Sequence, residues 1–287
     1  MDKALLKCKS VEKINDQLYC LKEVQSINRY LIIGSSHALL FDTGYGYLDF
    51  KDQIKEITSL PVYVVNSHGH PDHGLGDYLF KDVYVHVNDY YQLLSFDNDS
   101  DMKLHTIKYR YKKVPELEKY IDEKQYIKPK NLAHTKFHFV KDHDKFNLGN
   151  LTLEVLEIPG HTYGSIALFC PERGWLFTGD SICFYNVYYQ MGLQLQAPWK
   201  VYVRSLNRLL AMKDQISELY PAHGQKPIPL SAAEETRDAI FDLIDNHQND
   251  KVVKTITSDA YAHYYKHTLI LYNDEMVEEA LRNGLKD

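Results

Sequence analysis

The chain has 287 residues, of which 44% are hydrophobic and 25% charged, with a formal net charge of −6 and four cysteines. This composition is ordinary for a globular protein: it lacks the basic excess of nucleic-acid-binding surfaces, and its cysteines are too few for a disulfide scaffold. No apolar run approaches the roughly 20 residues that span a bilayer. The N-terminal segment has neither a long apolar core nor a small-residue cleavage site, so we expect a cytoplasmic protein with no membrane or nucleic-acid partner.

Hydrophobic periodicity predicts strands and helices along the whole chain. Strands are predicted at 17–21, 27–33, 37–41, 61–65, 83–87 and 268–272, and around Leu153, Ala167 and Leu176. Helices are predicted at 50–60, 88–94, 201–212 and 274–281, and from Ser231 onward. Strands in two groups, with helices outside them, indicate an α/β protein.

Four side chains of metal-ligating types stand close together, directly after the strand predicted at 61–65. They are His68, His70, Asp72 and His73. Imidazole and carboxylate are ordinary ligands of zinc and related divalent ions. A turn can aim such closely spaced side chains at one centre, whereas a continuing strand would alternate them between two faces. The cluster therefore predicts a metal site at the end of a strand.

Three further candidates follow at the ends of later strand-like runs. His161, Asp180 and His223 each stand next to a glycine, which lets the backbone turn sharply or approach an ion closely. Ligands at strand ends, with glycine supplying the turn, indicate one edge of a sheet that gathers a site. Ser181 and Cys183 lie beside Asp180, and we interpret them as a turn hydroxyl and a small buried thiol.

Together these motifs resemble those of the metallo-β-lactamase-fold hydrolase superfamily over nearly the whole chain. The His-x-His-x-Asp-His run at 68–73 is similar to the first signature of that family, and Gly-His-Thr at 160–162, Gly-Asp at 179–180 and Ala-His-Gly at 222–224 follow in the family's order. The run Phe-Asp-Thr-Gly at 41–44 resembles the family's Asp-Thr-Gly turn. The complete set is most similar to the branch of glyoxalase II, acyl-CoA thioesterases and lactonases. The resemblance implies an αββα sandwich of two mixed β-sheets flanked by helices.

The same resemblance implies two divalent metal ions, with zinc expected first and manganese or iron as alternatives. His68, His70 and His161 would hold one ion, Asp72, His73 and His223 the other, and Asp180 would bridge both. Water bound to zinc has a pKa of roughly 7, far below that of bulk water. The resulting metal-bound hydroxide would attack a small-molecule ester, thioester or lactone carbonyl. Asp72 would orient it and hand its proton on, which makes Asp72 the predicted catalytic residue.

Other reactions stay open on these ligands. One is hydrolysis of a phosphodiester, and another is oxygenation of a thiol at a single iron, as in dioxygenases with a similar first motif. A non-catalytic binding module would not be expected to keep every ligand type. The chain has no clear C-terminal basic cluster of the kind with which glyoxalase II holds glutathione, so the thioester itself is not specified.

Substrate recognition is predicted for two aromatic-rich segments that carry no catalytic motif. The insert at 96–146, with a short helical signal at 117–121, is either a lid over the metal cleft or a surface embellishment. The loop at 184–189 contributes Tyr185 and Tyr188, and Tyr163 stands just after the Gly-His-Thr motif. Tyrosine offers an apolar face and a hydrogen-bonding hydroxyl, so these three are the predicted substrate-binding residues.

We expect a single domain, 1–287, that contains this insert and a small C-terminal extension at 250–287. The extension either packs on the sandwich or contacts another subunit, so a homo-oligomer stays open. The expected partner is a small-molecule substrate.

Overall fold

The computed structural model describes residues 3–183, 187–190, 192, 194–255 and 258–285, with the backbone alone at 187–190. The chain divides into two compact units, Met1–Glu154 and Val155–Asp287, called here the N-terminal and C-terminal units. The single-domain organisation of the chain stays a prediction. No helix in the described part of the chain is both long enough and apolar enough to cross a bilayer.

One seven-stranded sheet, whose strands lie side by side in chain order, forms the centre of the N-terminal unit. Its strands are β1 (Lys9–Asn15), β2 (Leu18–Glu23), β3 (Ile27–Ile33), β4 (Ala38–Phe41), β5 (Val62–Val65), β6 (Asp82–His86) and β7 (Lys136–Val140). The first four strands are antiparallel neighbours, whereas β4 to β7 run parallel. The strands predicted from the sequence are confirmed as β2 to β6, and β1 and β7 are additional edge strands.

Parallel pairing of β4 with β5 brings two of the sequence motifs to one edge of this sheet. Phe41 pairs with Val65 in the register of the two strands. The carboxyl ends of neighbouring parallel strands meet at one edge, which is where sheets of this kind bind ligands. The Asp-Thr-Gly turn follows β4 and the histidine cluster follows β5, so the two motifs are neighbours in space although they are far apart in the sequence.

Helices of the N-terminal unit occupy the segments between and after the strands. They are α1 (Lys3–Cys8), α2 (Lys51–Ile57), α3 (Pro71–Gly74), α4 (Val87–Asn98), α5 (Ser100–Lys113) and α6 (Glu123–Tyr126). The insert at 96–146 is therefore largely helical, and of α5 only the basic stretch 108–113 was interpreted from the sequence as an exposed helix face. Its buried positions are Lys103, Thr106 and Ile107, so the face that packs inward is mostly polar and shows no apolar stripe in the sequence.

A buried ion pair holds the insert together. Lys103, 1% exposed, donates from Nζ to Asp97 Oδ1 at 2.7 Å and to the carbonyl of Lys128 at 2.8 Å. The other oxygen of Asp97 accepts the backbone N–H of Leu132 at 3.0 Å. These bonds join the end of α4 to α5 and to the segment that leads into β7, and they give both charges partners within the protein.

We expect Lys103→Ala to lower the free energy of unfolding by about 3 kcal/mol, because it leaves the Asp97 carboxylate buried without its cation. Urea unfolding followed by circular dichroism measures the change. Lys112→Ala is the control, since Lys112 is exposed on the same helix. It should change the free energy by less than about 0.5 kcal/mol. Similar losses in the two variants would contradict a stabilising role for the buried pair.

The remaining strands form two further sheets. They are β8 (Lys145–Asn147), β9 (Thr152–Glu157), β10 (Ile166–Cys170), β11 (Trp175–Gly179), β12 (Val187–Gln190), β13 (Glu218–Pro221), β14 (Lys251–Lys254), β15 (Asp259–Tyr265) and β16 (Thr268–Tyr272). The sheet orders are β13-β11-β10-β9-β8 and β12-β16-β15-β14. The second of these was not predicted as a separate sheet; the C-terminal extension supplies three of its strands, and β16 pairs parallel with β12.

Three helices complete the description of the C-terminal unit: α7 (Trp199–Leu210), α8 (Ser231–Asn246) and α9 (Asp274–Arg282). The apolar side of α7 includes Leu206 and Leu209, and that of α8 includes Ile240 and Leu243; all four lie in one buried core. Their spacing of three residues is that of an amphipathic helix, which is why the predictions at 201–212 and from Ser231 are confirmed.

Candidate metal centre

The first group of predicted ligands lies where the chain leaves β5. His68 and His73 are buried, and the ring centre of His68 lies 4.6 Å from that of His70 and 4.0 Å from that of His73. Pro71 begins helix α3, which its fixed φ favours, and α3 brings Asp72 and His73 into one turn. Asp72 Oδ1 lies 3.6 Å from His73 Nε2. The structure therefore brings these four side chains together, as the motif predicts.

Asp42, from the Asp-Thr-Gly turn, fixes the orientation of two of these imidazoles. Its Oδ2 accepts from His73 Nδ1 at 2.9 Å and from the Ser67 hydroxyl at 2.9 Å, while its Oδ1 accepts the Ser67 N–H at 2.7 Å. The Ser67 oxygen lies 2.9 Å from His68 Nδ1, from which it can accept. This network assigns the Nδ1–H tautomer to both rings, which puts the lone pair on Nε2. Such support by a carboxylate or hydroxyl is typical of metal-binding histidines.

Two further groups hold the backbone of the cluster. Asp89 on α4, fully buried, accepts the N–H of Gly69 at 2.8 Å. A side chain at Gly69 would not fit, because its Cβ would lie 2.5 Å from the carbonyl oxygen of Asp89. Thr43 donates its backbone N–H to the carbonyl of His73 at 2.8 Å. The loop between β5 and α3 is thus fixed by contacts from the two elements beside it.

Behind Thr43 lies a second buried carboxyl group, Asp77. Burial raises the pKa of Asp77 well above its usual value, against the lowering effect of hydrogen bonds from Thr43 Oγ1 at 2.8 Å and Asn66 Nδ2 at 2.6 Å. The nearby charge of Asp42 raises the pKa further. Asp77 bonds to Thr43 and Asn66, whereas Asp42 contacts His73 Nδ1 directly, so Asp42 is the carboxylate that orients His73.

The second group of predicted ligands lies in the C-terminal unit. β11 ends at Gly179 and its parallel neighbour β13 ends at Pro221, so Asp180 and His223 leave the sheet at the same edge. Asp180 presents Oδ1 to His223 Nε2 at 3.3 Å and Oδ2 to His161 Nε2 at 3.6 Å. One carboxylate thus faces two imidazoles through different oxygens, an arrangement that suits a ligand shared by two ions.

The chemistry of both groups suits a divalent metal. The N-terminal unit offers three imidazoles and a carboxylate, and the C-terminal unit offers two imidazoles and a carboxylate, all of them nitrogen or oxygen donors of the kind that zinc prefers. The rings of His68, His70 and His73 lie close together. Packing three imidazoles only to fill a core would cost folding free energy, because each ring buries polar nitrogen atoms that need partners. These histidine–aspartate clusters could hold metal.

Residues 23–245 match the profile of the metallo-beta-lactamase superfamily. The chain belongs to this superfamily. The match contains every predicted ligand from His68 to His223 and the Asp-Thr-Gly turn at 42–44. The family resemblance predicted from the motifs is therefore confirmed.

This chain is similar in sequence to known proteins and similar in fold to solved structures. An acyl-coenzyme A thioesterase from Gallus gallus is 26% identical over 220 residues, which is 68% of this chain and 72% of the thioesterase. A probable metallo-hydrolase from Methanocaldococcus jannaschii is 26% identical over 214 residues, or 70% of this chain and 88% of that protein. The crystal structure of a metallo-beta-lactamase family protein from Thermus thermophilus has a TM-score of 0.58 at 20% identity, covering 81% of this chain and 82% of that chain. This likeness confirms the predicted fold class.

In the sequence, the three predicted substrate residues stand within ten positions of His161 or Asp180. Tyr163 follows His161 closely and is 39% exposed; partial burial raises the pKa of its hydroxyl, with Glu279 and Glu275 adding to the effect. Tyr185 lies outside the described residues. Tyr188 belongs to β12, where the backbone alone is described. Their contact with substrate stays a prediction.

Sequence reasoning assigned no role to Ser67 or Asp89, and it noted Asp42 only as part of a turn. Ser67 could have been found, because it directly precedes His68 and carries a hydroxyl. Nothing in the sequence indicates Asp89, which lies on a helix after another strand and reaches the loop only through folding.

Proposed function

We propose that this protein is a metal-dependent hydrolase of small-molecule thioesters, with esters and lactones as neighbouring substrates. The observation that carries the proposal is the pair of histidine–aspartate clusters, whose donors suit divalent ions and whose imidazoles are held by Asp42, Ser67 and Asp180. The similarity to an acyl-coenzyme A thioesterase favours a thioester over the other substrates.

In this proposal the protein would hold two zinc ions, and Asp180 would be shared between them. His68, His70 and His161 are assigned to one ion, and Asp72, His73 and His223 to the other. Two features support the assignment: the Nδ1–H tautomer of His68 and His73, which leaves Nε2 as the donor, and the separate oxygens that Asp180 offers to His161 and His223.

When bound, such ions supply the acidity that converts water to hydroxide near neutral pH and the positive charge that polarises a carbonyl. The protein's own groups orient the reactants and move protons. Asp72 is assigned the catalytic role: its side chain is 19% exposed, so it can accept a proton from the attacking water and pass it to the departing sulfur. Cys183, 4% exposed, is not required as a nucleophile. Tyr163, Tyr185 and Tyr188 are assigned to substrate binding.

We expect zinc-loaded protein to hydrolyse acyl thioesters faster than lactones or phosphodiesters in one substrate panel. Treatment with a chelator should reduce turnover to background, and added zinc should restore it, because no other nucleophile in the site replaces the metal-activated water. Metal content is measured on the same samples by mass spectrometry. Phosphodiester cleavage alone, or one iron per chain with oxygen uptake and a thiol substrate, would contradict the proposal.

A further inference from the structure

Two buried side chains of opposite charge, Glu23 and Arg29, contact the turn that carries Asp42. Glu23 is the last residue of β2 and Arg29 stands in β3, and they are 2% and 1% exposed. Burial raises the pKa of Glu23 and lowers that of Arg29, and the charge of each residue opposes the shift of the other. Burying two charges in this way often gains no stability over apolar residues of similar volume. Stability alone therefore does not account for the pair.

The backbone leaves the sheet at Asp42 in a conformation that a residue with a side chain rarely adopts. The φ angle of Asp42 is +68°, in the left-handed region. This region brings Cβ close to the following carbonyl oxygen, so the conformation persists only where neighbouring groups hold it. Tyr30 pairs with Phe41, the last residue of β4, and Arg29 is the next residue of β3. Arg29 therefore stands where the turn departs from its partner strand.

Arg29 fixes the first part of this turn. Its Nη1 donates to the carbonyl of Thr43 at 3.2 Å, and its Nε donates to the carbonyl of Leu21 at 3.1 Å. Its guanidinium carbon lies 3.8 Å from the ring centre of Phe50. Hydrogen bonds from a charged donor are stronger than neutral ones. The residue that follows Asp42 is thus held from β3 by a side chain that is itself fixed on two further sides.

Glu23 fixes the later part of the turn. Its Oε2 accepts the N–H of Tyr45 at 2.7 Å, and its Oε1 accepts the N–H of Tyr47 at 3.0 Å. Gly44 packs against both charged side chains: an added Cβ would overlap Oε2 of Glu23 and would lie 3.3 Å from Cδ of Arg29. The two side chains therefore contact the turn on both sides of Gly44.

We propose that Arg29, supported by Glu23, is a positioning residue of the metal centre, because it holds the turn in the conformation in which Asp42 accepts from His73. The inference rests on the proposed function, since it concerns the metal site of that function, and it adds a residue of β3 that belongs to no ligand motif. Asp42 Oδ2 and His73 Nδ1 are 2.9 Å apart, and such a bond weakens steeply when its angle departs from the ideal. A released turn would let His73 change tautomer, which would move the lone pair from Nε2 to Nδ1.

Zinc affinity, measured by competition with a chromophoric chelator, tests this role without any turnover. Arg29→Met removes the charge and the donors at similar volume. Lys103→Met is the matched control, because it also removes a buried cation near a carboxylate, but the hydrogen bonds of Lys103 lie within the insert. We expect Arg29→Met to weaken zinc binding about tenfold and Lys103→Met less than about twofold, although both variants lose stability in urea. Glu23→Gln keeps the volume and loses one acceptor, so its loss of affinity should lie between these two.

Two further readouts separate positioning from stability. In the metal-free protein, NMR of the imidazole nitrogens should show the Nδ1–H tautomer of His73 in the unmodified chain and in Lys103→Met, and a mixture of both tautomers in Arg29→Met. Because Arg29 acts through Asp42, combining Arg29→Met with Asp42→Asn should give the zinc affinity of Asp42→Asn alone, within about twofold.

The proposal is overturned if Arg29→Met keeps the zinc affinity and the His73 tautomer of Lys103→Met, or if its loss of affinity adds to that of Asp42→Asn. If Arg29→Met does not fold, Glu23→Gln decides: unchanged affinity with an unchanged tautomer overturns the proposal, and a loss of both supports it. An unmodified chain that binds no zinc would instead remove the proposed function. The tautomer of His73 in the metal-free variants would still decide the inference about Arg29.

Discussion

Asp180→Asn is expected to lose metal and activity together, and this is the largest effect that we predict. Asp180 faces His223 through one oxygen at 3.3 Å and His161 through the other at 3.6 Å. The amide keeps the shape of the side chain but replaces one of the two negative oxygens with an NH₂ group that cannot ligate. Loss of groups that only support metal ligands costs roughly 10- to 100-fold, so loss of a ligand shared by both ions should lower turnover by more than about a hundredfold.

Metal content by mass spectrometry and kcat on the same preparation measure this result. Asp214→Asn is the matched control, because Asp214 is an exposed carboxylate in the same unit. It should keep both metal content and turnover. If Asp180→Asn retained two ions per chain and near-parental turnover, the bridging assignment would be wrong, although the other ligands would remain candidates.

Asp42→Asn should have the second largest effect, although Asp42 is not proposed as a ligand. Its carboxylate accepts from His73 Nδ1 and from both the N–H and the hydroxyl of Ser67. An amide has only one accepting oxygen, so at least one of these donors would meet an NH₂ group. The tautomer and orientation of His73 would no longer be fixed. We expect metal affinity to fall about 10- to 100-fold, as it does when such supporting carboxylates are removed elsewhere.

Competition with a chromophoric chelator measures this affinity directly. Because Asp42 acts through His73, turnover of the variant should recover in part at high zinc concentration, whereas that of the Asp180 variant should not. Asp52→Asn, at an exposed position of α2, controls for loss of a carboxylate. An Asp42 variant with unchanged zinc affinity would show that the hydrogen bond to His73 only stabilises the fold.

Several elements could be predicted from the sequence because their physical causes are local. The strand at 27–33 has the same bounds in the prediction and in the structure, since its apolar residues, Ile27 and Tyr30–Ile33, belong to an inner strand of the sheet. Helix α7 was predicted from apolar residues that repeat every three to four positions. The first half of helix α5 was missed, because its inward positions include a lysine and a threonine that no periodicity rule places in a core.

The features of the candidate site also fall into those that the sequence determines and those that only the tertiary structure determines. The sequence by itself determined the types of ligand, their position after strands, and the glycines that let the chain turn there, because all of these are properties of a few adjacent residues. Only the tertiary structure decided that Asp42 orients His73 and that Asp89 holds Gly69. Each of these contacts joins residues about 20 or more positions apart. Their partners are chosen by the parallel pairing of strands and by the packing of helices on the sheet, and no local pattern of residues encodes either choice.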